Sequence, residues 1–171
     1  MAKVFVFNFL RFIVLIALQV FLFKNIGYYT IASPFPYVLI ILLLPFGIPN
    51  FWLYLIAFIT GITVDMFYDT LGVNAAASVV LAWTRIVFLR ITLEAENHEK
   101  FATPRLGDVS LRWFLPYLFF GTLLHHFTLY ILEVFSFYQL HYTLLSIILS
   151  CIFTVVVCML LSLLFYRKKR R

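Results

Sequence analysis

The sequence predicts an all-α, polytopic membrane protein of six transmembrane helices, and three observations carry that prediction. The hydrophobic fraction of 64% and the charged fraction of 12% compare with roughly 45–50% and 25% in a soluble domain. Apolar runs recur between polar or Pro/Gly breaks, most of them near the ~20 residues that a ~30 Å hydrocarbon core requires. Lys and Arg gather at one set of run ends, the pattern that orients membrane proteins.

The first span is expected over residues 4–23, closed by Lys24, Asn25, Ile26 and Gly27. It exceeds a typical signal-peptide core, and no small-residue cleavage site follows, so it is expected to stay in the protein. The second, 36–48, is short and ends at Pro45, Gly47 and Pro49, which disfavour further helix. The third, 51–68, turns through residues 70–74 into the fourth, 75–90, as an antiparallel hairpin. A polar loop over 92–112 holds every acid except Asp65, Asp69 and Glu133. A helical extension through Glu94, Glu96 and Lys100 is expected at its start. About twenty residues cannot bury a core of their own, so this loop is at most a docking surface. The fifth and sixth spans, 113–134 and 142–166, are flanked by Trp113, Tyr138, Tyr142 and Tyr166, as interfacial aromatics are.

Six crossings place both termini on the side of that loop, with Lys3, Arg90, Lys100, Arg105, Arg112 and the tail Arg167, Lys168, Lys169, Arg170 and Arg171. Lys24 alone lies opposite. Both termini are therefore expected in the cytoplasm, and the tail is expected to attract anionic lipid, at about 1 kcal/mol per basic residue. The net charge of +6 then reports orientation. The 21 Phe and 10 Tyr lie within apolar runs, without the basic grooves that base-stacking platforms need, so nucleic acid is not an expected partner.

Chemistry is sparse. No phosphate-cradling glycine loop, His-Glu-x-x-His or nucleophile elbow occurs, so neither an enzyme nor a cofactor is expected. Cys151 and Cys158 lie about 10 Å apart along one helix, too far for a disulfide, and read as packing residues. A carboxylate in hydrocarbon is costly unless it meets a partner or a cavity, which makes Asp65 the leading candidate. Gly61 precedes it by four residues on the same face, where it would let another backbone approach, and Gly72 permits a tight turn.

By depth, Asp65 can be level with His125 and His126, while Asp69, Glu133 and Gln19 belong to the same outer half. His126 and Glu133, seven apart, share a face. Arg11 and Arg85 lie toward the opposite boundary and can snorkel to it, and Arg85 is too deep to pair easily with Asp65. A metal site is disfavoured because adjacent histidines diverge by about 100°. A proton or substrate relay is a further reading. The preferred one is that these groups satisfy one another and a partner helix.

Asn8 with Gln19 and Val20, Pro36, the run Ala57-Phe58-x-x-Gly61-x-x-x-Asp65, Gly72, Leu132-Glu133 and the basic tail together resemble the rod shape-determining MreD family of bacteria. The resemblance implies a bacterial inner-membrane protein with a fold similar to the six-helix substrate-binding subunits of vitamin transporters. It also implies a non-catalytic role in the elongation machinery: binding MreC and helping couple MreB filaments to RodA and a class B penicillin-binding protein. Gly61 and Asp65 would be a packing or partner-binding site. The alternative is a transporter subunit holding a small ligand with Asp65, Asp69, His126 and Gln19. That alternative predicts an enclosed cavity of roughly 300 Å³ or more lined by these groups.

Overall fold

A computed structural model describes residues 2–26, 32–92, 103–134 and 140–164, and among these the secondary structure is helical. Five helices are long and apolar enough to cross a membrane: Val6–Asn25, Asn50–Tyr68, Val73–Thr92, Leu111–Val134 and His141–Leu164. The last four belong to α3 (Asn50–Tyr68), α4 (Val73–Thr92), α5 (Leu111–Val134) and α6 (Leu140–Leu164), which pack in sequence order.

The first span is not a uniform helix. It is α1 (Ala2–Ala17) continued by a π-helical turn, Leu18–Leu22, and a 3₁₀ turn, Phe23–Asn25. The widened turn starts beside Gln19, whose side chain is held from the interior, a common setting for π-bulges.

The second span departs most from expectation. Only Val38–Leu42 forms a helix, α2, five residues long. Residues 32–35 before it and 43–49 after it are irregular apart from short turns. Pro34 and Pro36 deny donors at its start, and Pro45 and Pro49 do so beyond its end, so hydrophobicity alone could not extend it. This segment is nevertheless the centre of the molecule. Tyr37, Val38 and Ile41 are fully buried, and α2 packs on Leu53, Ala57, Leu81, Phe114 and Leu118.

Lys24 Nζ donates to the Phe67 carbonyl, so the end of the first span lies beside the end of α3. Residues 32–49 therefore return the chain along the bundle to where α3 begins. At that N-terminal end, residues 103–110 fold against the helices, with Leu106 and Val109 on the core and Arg105 over the Phe7 ring. Outward faces are apolar, as α6 shows with Ile148, Ile152, Val156 and Leu160. The basic tail from Arg167 to Arg171 and the segment with Glu94, Glu96 and Lys100 lie outside the described residues.

Candidate functional site

The expected turn over 70–74 is tighter in the structure, because Val73 and Asn74 already belong to α4. Asp65 explains why. Its Oδ1 accepts from the Asn74 backbone N–H at 3.0 Å, the Asn74 side-chain amide at 3.1 Å and the Thr70 hydroxyl. Its Oδ2 accepts from the Ala75 N–H at 2.9 Å. A helix start exposes unpaired N–H groups and partial positive charge. Asp65, reaching over from the preceding helix, supplies both the acceptors and the charge.

Gly61 completes the joint. A Cβ there would stand 2.4 Å from Ala75 Cα and 2.6 Å from the Asn74 carbonyl oxygen, so any side chain would separate α3 from α4. Between them, Asp69 closes α3 in the left-handed conformation at φ 56°, its N–H bonded to the Asp65 carbonyl. Gly72 follows at φ +83° in open space. Its requirement is conformational, whereas that of Gly61 is steric. The Asp69 side chain is exposed and does not join Asp65.

From Asp65 the polar chain continues inward. Asn74 Oδ1 lies 3.2 Å from the Tyr37 hydroxyl, which lies 2.6 Å from His125 Nε2. Asp65 and His125 are thus connected through two other side chains, as their similar depth suggested. His126 Nδ1 lies 2.7 Å from the Thr122 carbonyl and its Nε2 lies 3.0 Å from Thr154 Oγ1. Only a protonated Nδ1 can satisfy that carbonyl, so we assign the Nδ1–H tautomer, with Nε2 accepting from Thr154. Glu133 is on the exposed end of α5, apart from buried His126.

The largest group of contacts surrounds the broken segment. Ser33 N–H donates to Ser150 Oγ and Phe35 N–H to Thr154 Oγ1, each at 3.0 Å. Two extended residues advance about 6.6 Å and four helical residues about 6 Å, so this hydroxyl pair on α6 matches alternate donors of an extended chain. Gln19 Nε2 donates to the Pro34 carbonyl at 3.3 Å and reaches the Tyr68 hydroxyl at 2.6 Å.

Beyond α2, Tyr117 donates to the Leu42 carbonyl at 2.7 Å, and Arg11 to Leu43 at 2.9 Å. Arg85 donates to Leu44 at 2.7 Å and to Pro45 at 3.0 Å. Arg11 and Arg85 both reach these carbonyls, where a helix C-terminus presents partial negative charge. Arg85, 2% exposed, does not meet Asp65. Sequence reasoning missed Ser150, Thr154 and Tyr117. Their only signal is that hydroxyls on helices must meet something, and elsewhere in this chain, as at Thr60, Thr84 and Thr128, they bond their own helix four residues back.

This arrangement sheathes irregular backbone in protein side chains, the condition under which such backbone is tolerated at membrane depth. Among the described residues no group of His, Cys, Asp or Glu is suited to hold a metal ion. Gln19, His125 and His126 are 0% exposed, and Gln19 Oε1 and His125 Nδ1 are buried without a hydrogen-bond partner. A surface groove of about 250 Å³ lies against Phe12, Ile13, Ile16, Ala17, Val20, Phe21 and Phe67, all apolar.

Fold and site define a helical membrane protein built around a polar-sheathed, broken central segment. No family model, curated protein or solved structure matches the chain.

Proposed function

We propose that this protein is a non-catalytic scaffold subunit of the bacterial rod-shape machinery, of the MreD type, with six crossings and both termini cytoplasmic. The observation that carries the scaffold reading is the commitment of its buried polar groups to its own architecture. Asp65, the Gln19 side-chain amide N–H₂ and His126 are engaged by a helix start and by the contacts around the backbone segment. A ligand-binding transporter subunit would need those groups free.

The sixth crossing is residues 32–49, whose return along the bundle keeps the parity that positive-inside charge requires. The assignment to cell-wall elongation rests on the resemblance in Asn8, Gln19, Ala57, Gly61, Asp65 and Gly72. In that reading MreC is the direct partner, with MreB, RodA and a class B penicillin-binding protein farther along the complex. Its exposed helix faces would then supply the contacts.

Affinity capture of the tagged protein from gently solubilised bacterial membranes tests this. Recovery of MreC and wall synthases is expected. Recovery of an ATPase pair with a coupling subunit, and no MreC, would overturn the reading in favour of a transporter component.

A further inference from the structure

The N-terminal end of the bundle holds a cluster of cations that the central segment does not use up. Phe7 lies in the first turn of the apolar span that begins at Val6. The Arg105 guanidinium sits 4.1 Å from its ring centroid and that of Arg11 5.3 Å from the same centroid. Two like charges therefore share one ring at the hydrocarbon boundary.

Arg11 gives one amino group to the Leu43 carbonyl and the other to Asn8 Oδ1. A guanidinium carries five N–H donors, so donors remain. Arg105 rests on the ring, with Asp108 attracting it at longer range. Its pKa is lowered by burial, with Asp108 opposing the shift, the state of a half-desolvated cation that gains from a close anion. Deeper at this end, Arg85 Nε and Trp113 Nε1 are buried without an acceptor. Among the described residues, donors here exceed acceptors.

The surface beside this pair is apolar. Phe7, Leu10 and Val14 follow one another at helical spacing alongside Arg11, and they are 42%, 58% and 42% exposed. A small soluble anion would find the charges but no use for that track. A phospholipid supplies a phosphate for the first and acyl chains for the second.

We propose that Phe7, Arg11 and Arg105 bind the phosphate headgroup of an anionic phospholipid, whose chains lie along the Phe7, Leu10 and Val14 face of α1. The phosphate bridges the two guanidinium groups in charge-assisted hydrogen bonds and relieves their mutual repulsion. Arg105, in a loop, is the residue whose loss leaves the helices intact, whereas Arg11 also holds the central segment.

The test is native mass spectrometry of the full chain released from nanodiscs of equal phosphatidylglycerol and phosphatidylcholine. Wild type is compared with Arg105→Gln, Arg105→Lys and Arg90→Gln, the last removing an exposed cation of α4 outside the site. We expect selective retention of phosphatidylglycerol, a loss of about fivefold in Arg105→Gln from removing one membrane-facing cation, a smaller loss in Arg105→Lys and none in Arg90→Gln. Equal loss in Arg105→Gln and Arg90→Gln would show diffuse attraction and overturn the site. So would equal retention of phosphatidylcholine. Displacement of the lipid by millimolar inorganic phosphate, with phosphate retained in its place, would overturn the lipid as the ligand.

Discussion

Asp65 carries a charge inside an apolar helix because the next helix begins against it. Its two oxygens face different donors, which separates two substitutions. Asp65→Asn keeps one acceptor but sets an amide N–H₂ against a backbone N–H. Asp65→Ala leaves both Asn74 and Ala75 N–H groups unpaired. Each buried donor stranded costs about 1–3 kcal/mol, so Asp65→Ala should lower the unfolding midpoint in detergent more than Asp65→Asn. Equal midpoints would count against the capping role. The two glycines separate in the same way. Gly61→Ala should be strongly destabilising because backbone atoms of Ala75 and Asn74 occupy the new Cβ position, at a cost of about 1–3 kcal/mol or more. Gly72→Ala meets nothing and costs only its left-handed backbone, about 1–2 kcal/mol, and Gly72→Asn should recover part of that. Midpoints that rank Gly72→Ala as the worse variant would refute the distinction.

At the scale of elements, the long helices were legible because hydropathy and length specify them with little help from context. α3 and α5 start one and two residues earlier than the 51 and 113 predicted, and both end as predicted. The second span was not legible, because an apolar run between prolines reads as helix until its backbone partners are known. Those partners are Arg11, Tyr117, Ser150 and Thr154, far away in sequence and unremarkable in composition. Of the candidate site, the structure sets Gly61 and Asp65 at the hairpin joint between α3 and α4. Gln19 and His126 proved to be struts of the central segment, and Asp69 and Glu133 lie exposed. Thr154→Val keeps the shape but removes the acceptor of Phe35 N–H and the donor to His126. It should speed deuterium uptake across residues 32–37 while leaving α3 unchanged. Uniform uptake in both regions would deny the segment its dependence on α6.

For the whole molecule, the number of crossings turns on a segment that only its neighbours hold in place. The prediction is that fluorescent or enzymatic reporters fused to either terminus report the same side of the membrane. A reporter placed after Lys24 should report the opposite side. Termini on opposite sides would mean that residues 32–49 do not cross.

The contacts between Ser33 and Ser150 and between Phe35 and Thr154 also order events in time. They join residues 117 and 119 positions apart, so the earlier segment waits for a helix made more than a hundred residues later. Until α6 arrives, the Ser33 and Phe35 amides have no acceptor within the bundle. The protein must therefore be held by the insertion machinery, or keep this stretch near water, until α6 has been translated. A chain stopped before α6 would present unpaired backbone to the membrane, a defect that quality-control proteases could recognise.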